Sequence, residues 1–319
     1  MMKTALQKHF SVDLLIDEKE TMLRTFYRSV GSHMLNYKWV HKYIGKRIAK
    51  KIINKKPDVA ILLIDVTACA IPILKRKGIN VVLSVEDLTT EWLSVKNKEK
   101  ILSFLRSYAT LSDKVIVISD DLQVKMAKIG IDADIVPPGL EQIYVGLDYA
   151  LDRFNKSKCI LHAGKLQHRE EIESFCMITK QILEKYEMKS YLADRNYYPF
   201  LKEKFRFIQW YNYPSAKEAI GHIRDCFAGL VIRYKAHSPT RLYYHASMLQ
   251  PIIGIGDTWL NAITKNGIGV ISAPGNVLQN IESILNNYKD YVANVYEFAK
   301  KNILESAYSP LIQFLYKLE

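Results

Sequence analysis

Short, continuously apolar runs recur along the chain and alternate with segments of helical periodicity. The runs occupy residues 59–64, 81–83, 115–118, 159–161 and 230–232. A strand of a parallel sheet is covered on both faces and is therefore apolar throughout, whereas a half-exposed strand alternates. Strands of this kind, when separated by helices, are joined by right-handed crossovers. The pattern predicts an α/β protein with doubly wound parallel sheets.

The length of the chain indicates how many domains to expect. Its 319 residues suit two domains of about 150 residues each better than a single core. We expect one domain over residues 1–145 and a second over 146–319. The turn at 137–139 and the polar stretch up to residue 158 are interpreted as the linker between them.

Residues 229–256 form the most informative segment. The pattern predicts a buried strand, a polar loop, a short helix and a second buried strand. Ser238 fits the N-cap of the helix and Pro239 its first position. Arg241 then lies in the first turn, where a cation is poorly placed against the helix dipole. A bound phosphate would reverse that balance, so we interpret Arg241 either as a phosphate ligand or as a solvated surface residue.

Two adjacent carboxylates, Glu86 and Asp87, follow the predicted strand at 80–85. Ligand sites of open α/β sheets lie beyond the carboxyl ends of the strands. Burial or mutual repulsion can raise the pKa of one acid of such a pair, which suits a general base. The alternative is that one of them caps the next helix.

The positive charge of the chain is concentrated in one segment. The net charge is +12, and residues 38–56 contain eight basic residues and no acidic residue. Val40 and Ile44 begin an apolar repeat of every fourth residue, which predicts a helix with separate apolar and basic stripes. The basic residues singled out are Lys42, Lys46, Arg47, Lys50 and Lys51.

Three interpretations of this basic helix stay open. Its apolar stripe can simply cover a core, with the charges in solvent. Clustered cations also favour attachment to an anionic membrane. Nucleic acid is the weaker third interpretation, because no RNP-like or helix-turn-helix signature accompanies the charge.

The cysteines and the apolar runs of the sequence indicate the cellular compartment. Its four cysteines have neither the spacing of a metal site nor that of a disulfide framework. The chain opens on a polar stretch, and its longest apolar run, 59–74, is interrupted by Asp65 and Pro72. We expect a cytoplasmic protein, either free or peripheral at the inner face of the membrane.

The segment SPTRLYYHASMLQPIIGIG resembles the donor-binding segment of GT-B glycosyltransferases. The likeness is carried by Pro239, Arg241, Leu242 and Pro251-Ile252-Ile253. It is similar in particular to membrane-associated glucuronosyltransferases of polysaccharide synthesis, and Arg241 stands where they hold the donor pyrophosphate with a Lys. Residues 111–139 resemble the stretch that leads out of the first GT-B domain. Tyr244 stands where many retaining members have a Glu.

This resemblance implies two Rossmann-like domains, the first of which either lacks its first strand or begins differently, with a strand predicted at 12–16. A UDP- or GDP-sugar would bind the second domain, and the first would present a glycan or lipid-linked acceptor. The last helix would cross back to the first domain. No metal or cofactor is implied, since the nucleotide-sugar is a substrate.

The resemblance also implies a set of site residues. The donor-binding residues would be Gly164, Lys165, Arg169, Trp210, Tyr211, Tyr234, Ser238, Thr240, Arg241 and Tyr244. Trp210 and Tyr211 are placed in the loop after a strand predicted at 205–209. Asp87 and Glu86 are the candidate catalytic residues, and Glu86 replaces a His that is common in the family. Two alternatives remain: a nucleotide-sugar epimerase of the same fold, and a catalytically degenerate protein that binds a membrane or nucleic acid.

Overall fold

In a computed structural model, the protein consists of two compact units. It describes residues 1–13, 37–63, 65–88, 98–164, 166, 169–192, 199–212, 220–221, 223–234, 240–256 and 260–318. The N-terminal unit comprises residues 2–137 and 308–319, and the C-terminal unit 138–234 and 239–307. The C-terminal unit thus begins before residue 146, and the chain returns to the N-terminal unit at its end.

The N-terminal unit contains a parallel sheet of four strands in the order β1-β2-β3-β4. The strands are β1 (Val59–Leu63), β2 (Asn80–Val85), β3 (Lys114–Val117) and β4 (Asp134–Ile135). The helices are α1 (Met2–Leu6), α2 (Lys38–Ile53), α3 (Ile71–Lys75), α4 (Lys98–Ala109) and α5 (Asp120–Lys128), and a 3-10 helix covers Asp65–Ala70. Residues 14–16 of the strand predicted at 12–16 lie outside the described residues.

The C-terminal unit contains a parallel sheet of six strands in the order β10-β9-β8-β5-β6-β7. The strands are β5 (Cys159–Ala163), β6 (Glu187–Leu192), β7 (Gln209–Asn212), β8 (Ala228–Arg233), β9 (Ile252–Gly256) and β10 (Gly269–Ile271). The helices are α6 (Leu147–Lys156), α7 (Arg169–Ile182), α8 (Pro199–Lys204), α9 (Thr240–Ser247), α10 (Asn261–Lys265), α11 (Val277–Asn286) and α12 (Tyr288–Lys301), and a 3-10 turn covers Pro274–Asn276. Helix α13 (Leu304–Tyr316) starts in this unit, and from Tyr308 on it belongs to the N-terminal unit.

The predicted α/β fold with two parallel-sheet domains is confirmed. Strand β8 is buried at all six positions, as expected of a strand covered on both faces. Strand β1, at one edge of its sheet, instead alternates between buried and more exposed residues. Among the described residues, no helix combines the length and apolar character needed to cross a membrane.

The interpretation of residues 140–158 as a polar linker is wrong in part. Residues Leu147–Lys156 form helix α6, in which Ala150 and Arg153 are buried. Arg153 donates hydrogen bonds from its guanidinium to the carbonyl oxygens of Cys226 (3.1 Å) and Met248 (2.7 Å). Backbone acceptors thus satisfy both Nη atoms of the buried guanidinium, while its Nε has no hydrogen-bond partner among the described residues. Helix α6 is part of the C-terminal unit and not a connection.

The placement of Trp210 and Tyr211 in a loop is also wrong. Residues 205–208 form the turn after α8, and the strand starts only at Gln209, so both aromatics lie in β7. Phe205 and Ile208 are buried as turn residues, which gives this stretch the apolar character of a strand. The indole N–H of Trp210 donates to the Phe205 carbonyl at 3.1 Å, and its ring lies 6.0 Å from that of Phe175. Trp210 thus contributes to packing at the edge strand.

Candidate functional site

The order of strands in the C-terminal sheet reverses between β5 and β8. From β5 the chain continues outward through β6 and β7, and from β8 it continues the other way through β9 and β10. The two strands are paired in parallel, with Ile160 opposite Ala228 and His162 opposite Leu230. The helices that follow them diverge at such a point, so a crevice opens beyond the carboxyl ends of the strands, and ligands of open α/β sheets bind there.

The side chain of Arg241 lies at this crevice. Arg241 is in the first turn of α9, and its Nη1 donates to the carbonyl oxygen of Ile232, near the end of β8, at 2.8 Å. A Cβ atom at Gly164, directly after β5, would lie 2.3 Å from Nε of Arg241. Gly164 also has a φ of +111°, which disfavours any other residue. Only a glycine at position 164 leaves room for the Arg241 guanidinium beside the ends of both β5 and β8.

Two buried histidines lie on the elements that carry this site. In β5, His162 Nδ1 lies 3.1 Å from the Ser190 hydroxyl, and in α9, His245 Nδ1 lies 2.8 Å from Oε1 of Gln250. Their Nε2 atoms have no hydrogen-bond partner among the described residues. Burial, with a contribution from the Arg241 charge, lowers the pKa of His162 well below its usual value and that of His245 to about 4. Both rings are neutral at pH 7, so Arg241 carries the positive charge of this group.

We expect the stability of the protein to fall in acid because of these histidines. The pKa of His245 is about 4 in the folded protein and about 6.5 when unfolded. Only the unfolded chain binds a proton between these values, so this group lowers the unfolding free energy by about 1.4 kcal/mol per pH unit as the pH falls from 6.5 to 4. Urea unfolding across this range measures the slope. His245→Gln should reduce it, and an unchanged slope would contradict the assignment.

A buried carboxylate fixes the end of β8, and the sequence analysis did not identify it. Glu171, in the first turn of α7, is fully buried. Its Oε1 accepts the backbone N–H of Tyr234 at 3.0 Å and lies 3.4 Å from Nη1 of Arg233. The Tyr234 hydroxyl lies 3.0 Å from that of Ser174. Helix α7, which follows β5, thereby holds the residues at the end of β8. Strands β5 and β8 lie on the two sides of the crevice, so this contact joins the two sides.

The chain resembles known proteins in its structure. No protein-family model and no curated protein matches the sequence. Among solved structures, sucrose-phosphate synthase from Thermosynechococcus elongatus superposes with a TM-score of 0.68 at 11% identity, over 86% of this chain and 78% of that one. HepE from Anabaena in complex with UDP-glucose gives a TM-score of 0.65 at 11% identity, over 84% and 82% of the two chains. UDP-GlcNAc 2-epimerase from Neisseria meningitidis bound to UDP-GlcNAc gives 0.61 at 14% identity, over 99% and 95%.

The chain has the GT-B fold. At identities of 11–14% the likeness establishes the fold. The GT-B fold assigns the six-stranded sheet to the C-terminal Rossmann-like domain and the four-stranded sheet to the N-terminal one.

The other predicted donor residues of this GT-B chain have varied surroundings. Arg169 is exposed, and its Nε lies 2.6 Å from Oε1 of Glu173 on the same helix. Thr240 is exposed at the start of α9. Tyr244 is half-buried, with its ring edge-on to that of His245 at 5.7 Å. Lys165, Ser238 and the side chain of Tyr211 lie outside the described residues. The structure therefore brings Gly164, Arg241 and Tyr234 together at the crevice.

The candidate catalytic pair lies at the carboxyl end of β2 in the N-terminal GT-B domain. The Glu86 side chain is exposed, and that of Asp87 is half-buried. Partial loss of hydration, and then repulsion by Asp87, raise the pKa of Glu86. Burial, and then the charge of Glu86, raise the pKa of Tyr308 in α13. Among the described residues, no group of three or more His, Cys, Asp or Glu side chains is arranged to hold a metal ion.

Proposed function

We propose that this protein is a glycosyltransferase that moves a sugar from a UDP-sugar to an acceptor hydroxyl of a glycan or lipid-linked glycan. The observation that carries the proposal is the Arg241 guanidinium at the β5–β8 crevice, between Gly164 and the Ile232 carbonyl. Solved structures of the same fold include HepE with UDP-glucose and a pneumococcal O-GlcNAc transferase with UDP and GlcNAc. They support a UDP-linked donor.

The proposed reaction breaks the bond between the anomeric carbon and the diphosphate oxygen, and the electron pair leaves on the diphosphate. The acceptor oxygen forms the new bond to the anomeric carbon and gives its proton to a base. Arg241 and the amino end of α9 stabilise the negative charge that develops on the departing diphosphate. Glu86 or Asp87 is the proposed base.

The proposal predicts that Arg241→Ala weakens binding of UDP by roughly tenfold or more. The variant lacks a charge-assisted hydrogen bond worth about 1.5–3 kcal/mol. Uridine has no phosphate for the guanidinium, so its affinity should be nearly unchanged. Calorimetric titration of both ligands measures the difference. Arg241→Lys should recover only part of the loss, because an ammonium group matches a diphosphate less well than the guanidinium fork.

Stability has to be measured on the same variants. Loss of the bond to the Ile232 carbonyl is expected to lower the unfolding free energy by about 1 kcal/mol. Arg224→Ala serves as the matched control, since that guanidinium is exposed, is paired with Asp225 and is not among the predicted donor-binding residues. Equal losses of UDP and uridine affinity in Arg241→Ala would mean that Arg241 shapes the crevice without binding phosphate.

The second candidate function is epimerisation of a UDP-sugar. It is favoured by the alignment with the Neisseria meningitidis epimerase, which covers 99% of this chain and 95% of that one. Incubation with a UDP-sugar separates the two functions. An epimerase changes the configuration of the sugar, and the product sugar is still linked to UDP. A transferase releases UDP and forms an equal amount of glycosylated acceptor.

A further inference from the structure

Helix α2 (Lys38–Ile53) has two sharply different faces. One face packs on the N-terminal unit and buries Val40, His41, Ile44, Ala49 and Ile52. Val40 and Ile44 form a small apolar cluster with Cys69, and the His41 ring lies 4.8 Å from that of Phe104 in α4. Gly45 allows a close approach, because a Cβ there would lie 2.2 Å from the Cys69 carbonyl oxygen. The helix is thus held firmly, and its opposite face is directed to solvent.

The solvent face of α2 carries aromatic side chains as well as cations. Trp39 is 60% exposed and Tyr43 is 57% exposed. At 100° per residue they lie near the centre of this face, between the cations. The flanking cations, all exposed, are Lys42, Lys46, Arg47 and Lys50, with Lys51 at the margin. The Arg47 guanidinium carbon lies 5.9 Å from the Tyr43 ring centroid. We name Trp39, Lys42, Tyr43, Lys46, Arg47 and Lys50 the aromatic-cationic face.

This composition differs from that of an ordinary solvated helix surface. Large aromatic groups are costly to expose to water, and here no acidic residue between 38 and 56 offsets the cations. Trp and Tyr combine an apolar ring with a polar atom, which suits the boundary between lipid headgroups and acyl chains. Lysine and arginine around them are attracted by anionic headgroups. The exposed aromatic rings and the cations around them both favour the surface of an anionic bilayer as the partner.

We propose that the aromatic-cationic face binds the surface of a bilayer that contains anionic lipid. The cations contact the headgroups, and the Trp39 and Tyr43 rings insert at the headgroup level while α2 lies along the surface. This goes beyond the transfer reaction and does not depend on the identity of the donor. Nucleic acid would satisfy the cations, but no base-reading motif accompanies the helix.

The test uses the full chain and two kinds of vesicle, one of phosphatidylcholine alone and one with 30% phosphatidylglycerol. Flotation should recover the protein with the anionic vesicles at 0.1 M salt, much less with the neutral ones, and less at 0.5 M salt. Replacing Lys42, Lys46, Arg47 and Lys50 by Gln should lower the partition by about 600-fold, since each of the four cations near the surface contributes a factor of about five. These side chains are exposed, so folding should be retained.

Two further variants separate this face from net charge. Replacing the exposed Lys202, Lys289, Lys301 and Lys317 by Gln removes the same charge elsewhere and should leave most of the binding. Trp39→Ala with Tyr43→Ala should lower the partition by about tenfold. On anionic vesicles the tryptophan fluorescence should shift to the blue, and Trp39→Phe should abolish the shift.

Three results would overturn the proposal. They are equal recovery with both kinds of vesicle, equal loss of binding in the two sets of four Gln substitutions, and a blue shift that persists in Trp39→Phe. Binding to a duplex RNA that needs the same cations, without vesicle binding, would assign the face to nucleic acid instead.

Discussion

Glu86→Gln or Asp87→Asn, whichever removes the working base, is expected to lower turnover by roughly 10²–10⁴-fold while UDP affinity changes little. Both carboxylates follow β2, and successive residues direct their side chains differently, so only one is expected to serve. We expect Glu86 to be that base, because partial loss of hydration and the neighbouring Asp87 raise its pKa. A carboxylate with a raised pKa accepts a proton more readily from an acceptor hydroxyl.

The pH dependence distinguishes the two residues. The base works only when it is deprotonated, so the rate falls as the pH drops through the raised pKa of Glu86. If Glu86 is the base, Asp87→Asn keeps much of the activity and moves this acid limb to lower pH, because the repulsion that raises the pKa is gone. Exposed Glu99→Gln, at the start of α4, is the control and should leave the profile unchanged. If both amide variants keep full activity, neither carboxylate is the base.

The part of the fold that local sequence signals encode could be predicted. The described residues of the segment 229–256 form strand β8, helix α9 and strand β9 in the predicted order, and the predicted loop and N-cap at 235–239 lie outside them. The apolar runs alone are enough here, because a strand buried on both faces requires them. The position of Arg241 in the first turn of α9 follows from the same local reading.

Structural features that depend on contacts between distant parts of the chain could not be predicted from local sequence patterns. Phe205 and Ile208 are apolar, as strand residues often are, but they are buried in a turn. The strand was therefore predicted at 205–209, whereas β7 begins only at Gln209.

Helix α6 does carry a local signal, since Leu147, Ala150, Leu151 and Phe154 recur at the spacing of one helix face, so its interpretation as a linker was avoidable. Only the burial of Arg153 depends on distant contacts, because carbonyls 73 and 95 residues away accept its hydrogen bonds.

Glu171 shows the same limit at the candidate site. In the sequence it is an acidic residue in the first turn of a helix, where it suits the dipole and needs no further explanation. Its partners, Arg233 and Tyr234, are 62 and 63 residues further along the chain. Only the pairing of β5 with β8 brings these residues together, so no local signal could have identified Glu171.

Glu171→Ala is therefore expected to lower the unfolding free energy by about 3–5 kcal/mol. It removes a fully buried carboxylate from beside the Arg233 guanidinium and the Tyr234 N–H, and breaking a buried ion pair from one side has costs of this size. Urea unfolding at pH 7 measures the loss. Glu173→Ala on the same helix is the matched control, because its pair with Arg169 is exposed to solvent and should contribute little.

Glu171→Gln separates the two parts of the interaction and remains informative if the Ala variant does not fold. The amide oxygen can still accept the Tyr234 N–H, whereas the charge beside Arg233 is lost, so the loss of stability should be intermediate. The Ile232 carbonyl that holds Arg241 directly precedes Arg233, so a displaced end of β8 also displaces the guanidinium. We therefore expect both Glu171 variants, measured where they are folded, to bind UDP more weakly than Glu173→Ala does. Stability and UDP affinity equal to those of the control would show that Glu171 neither anchors β8 nor positions Arg241.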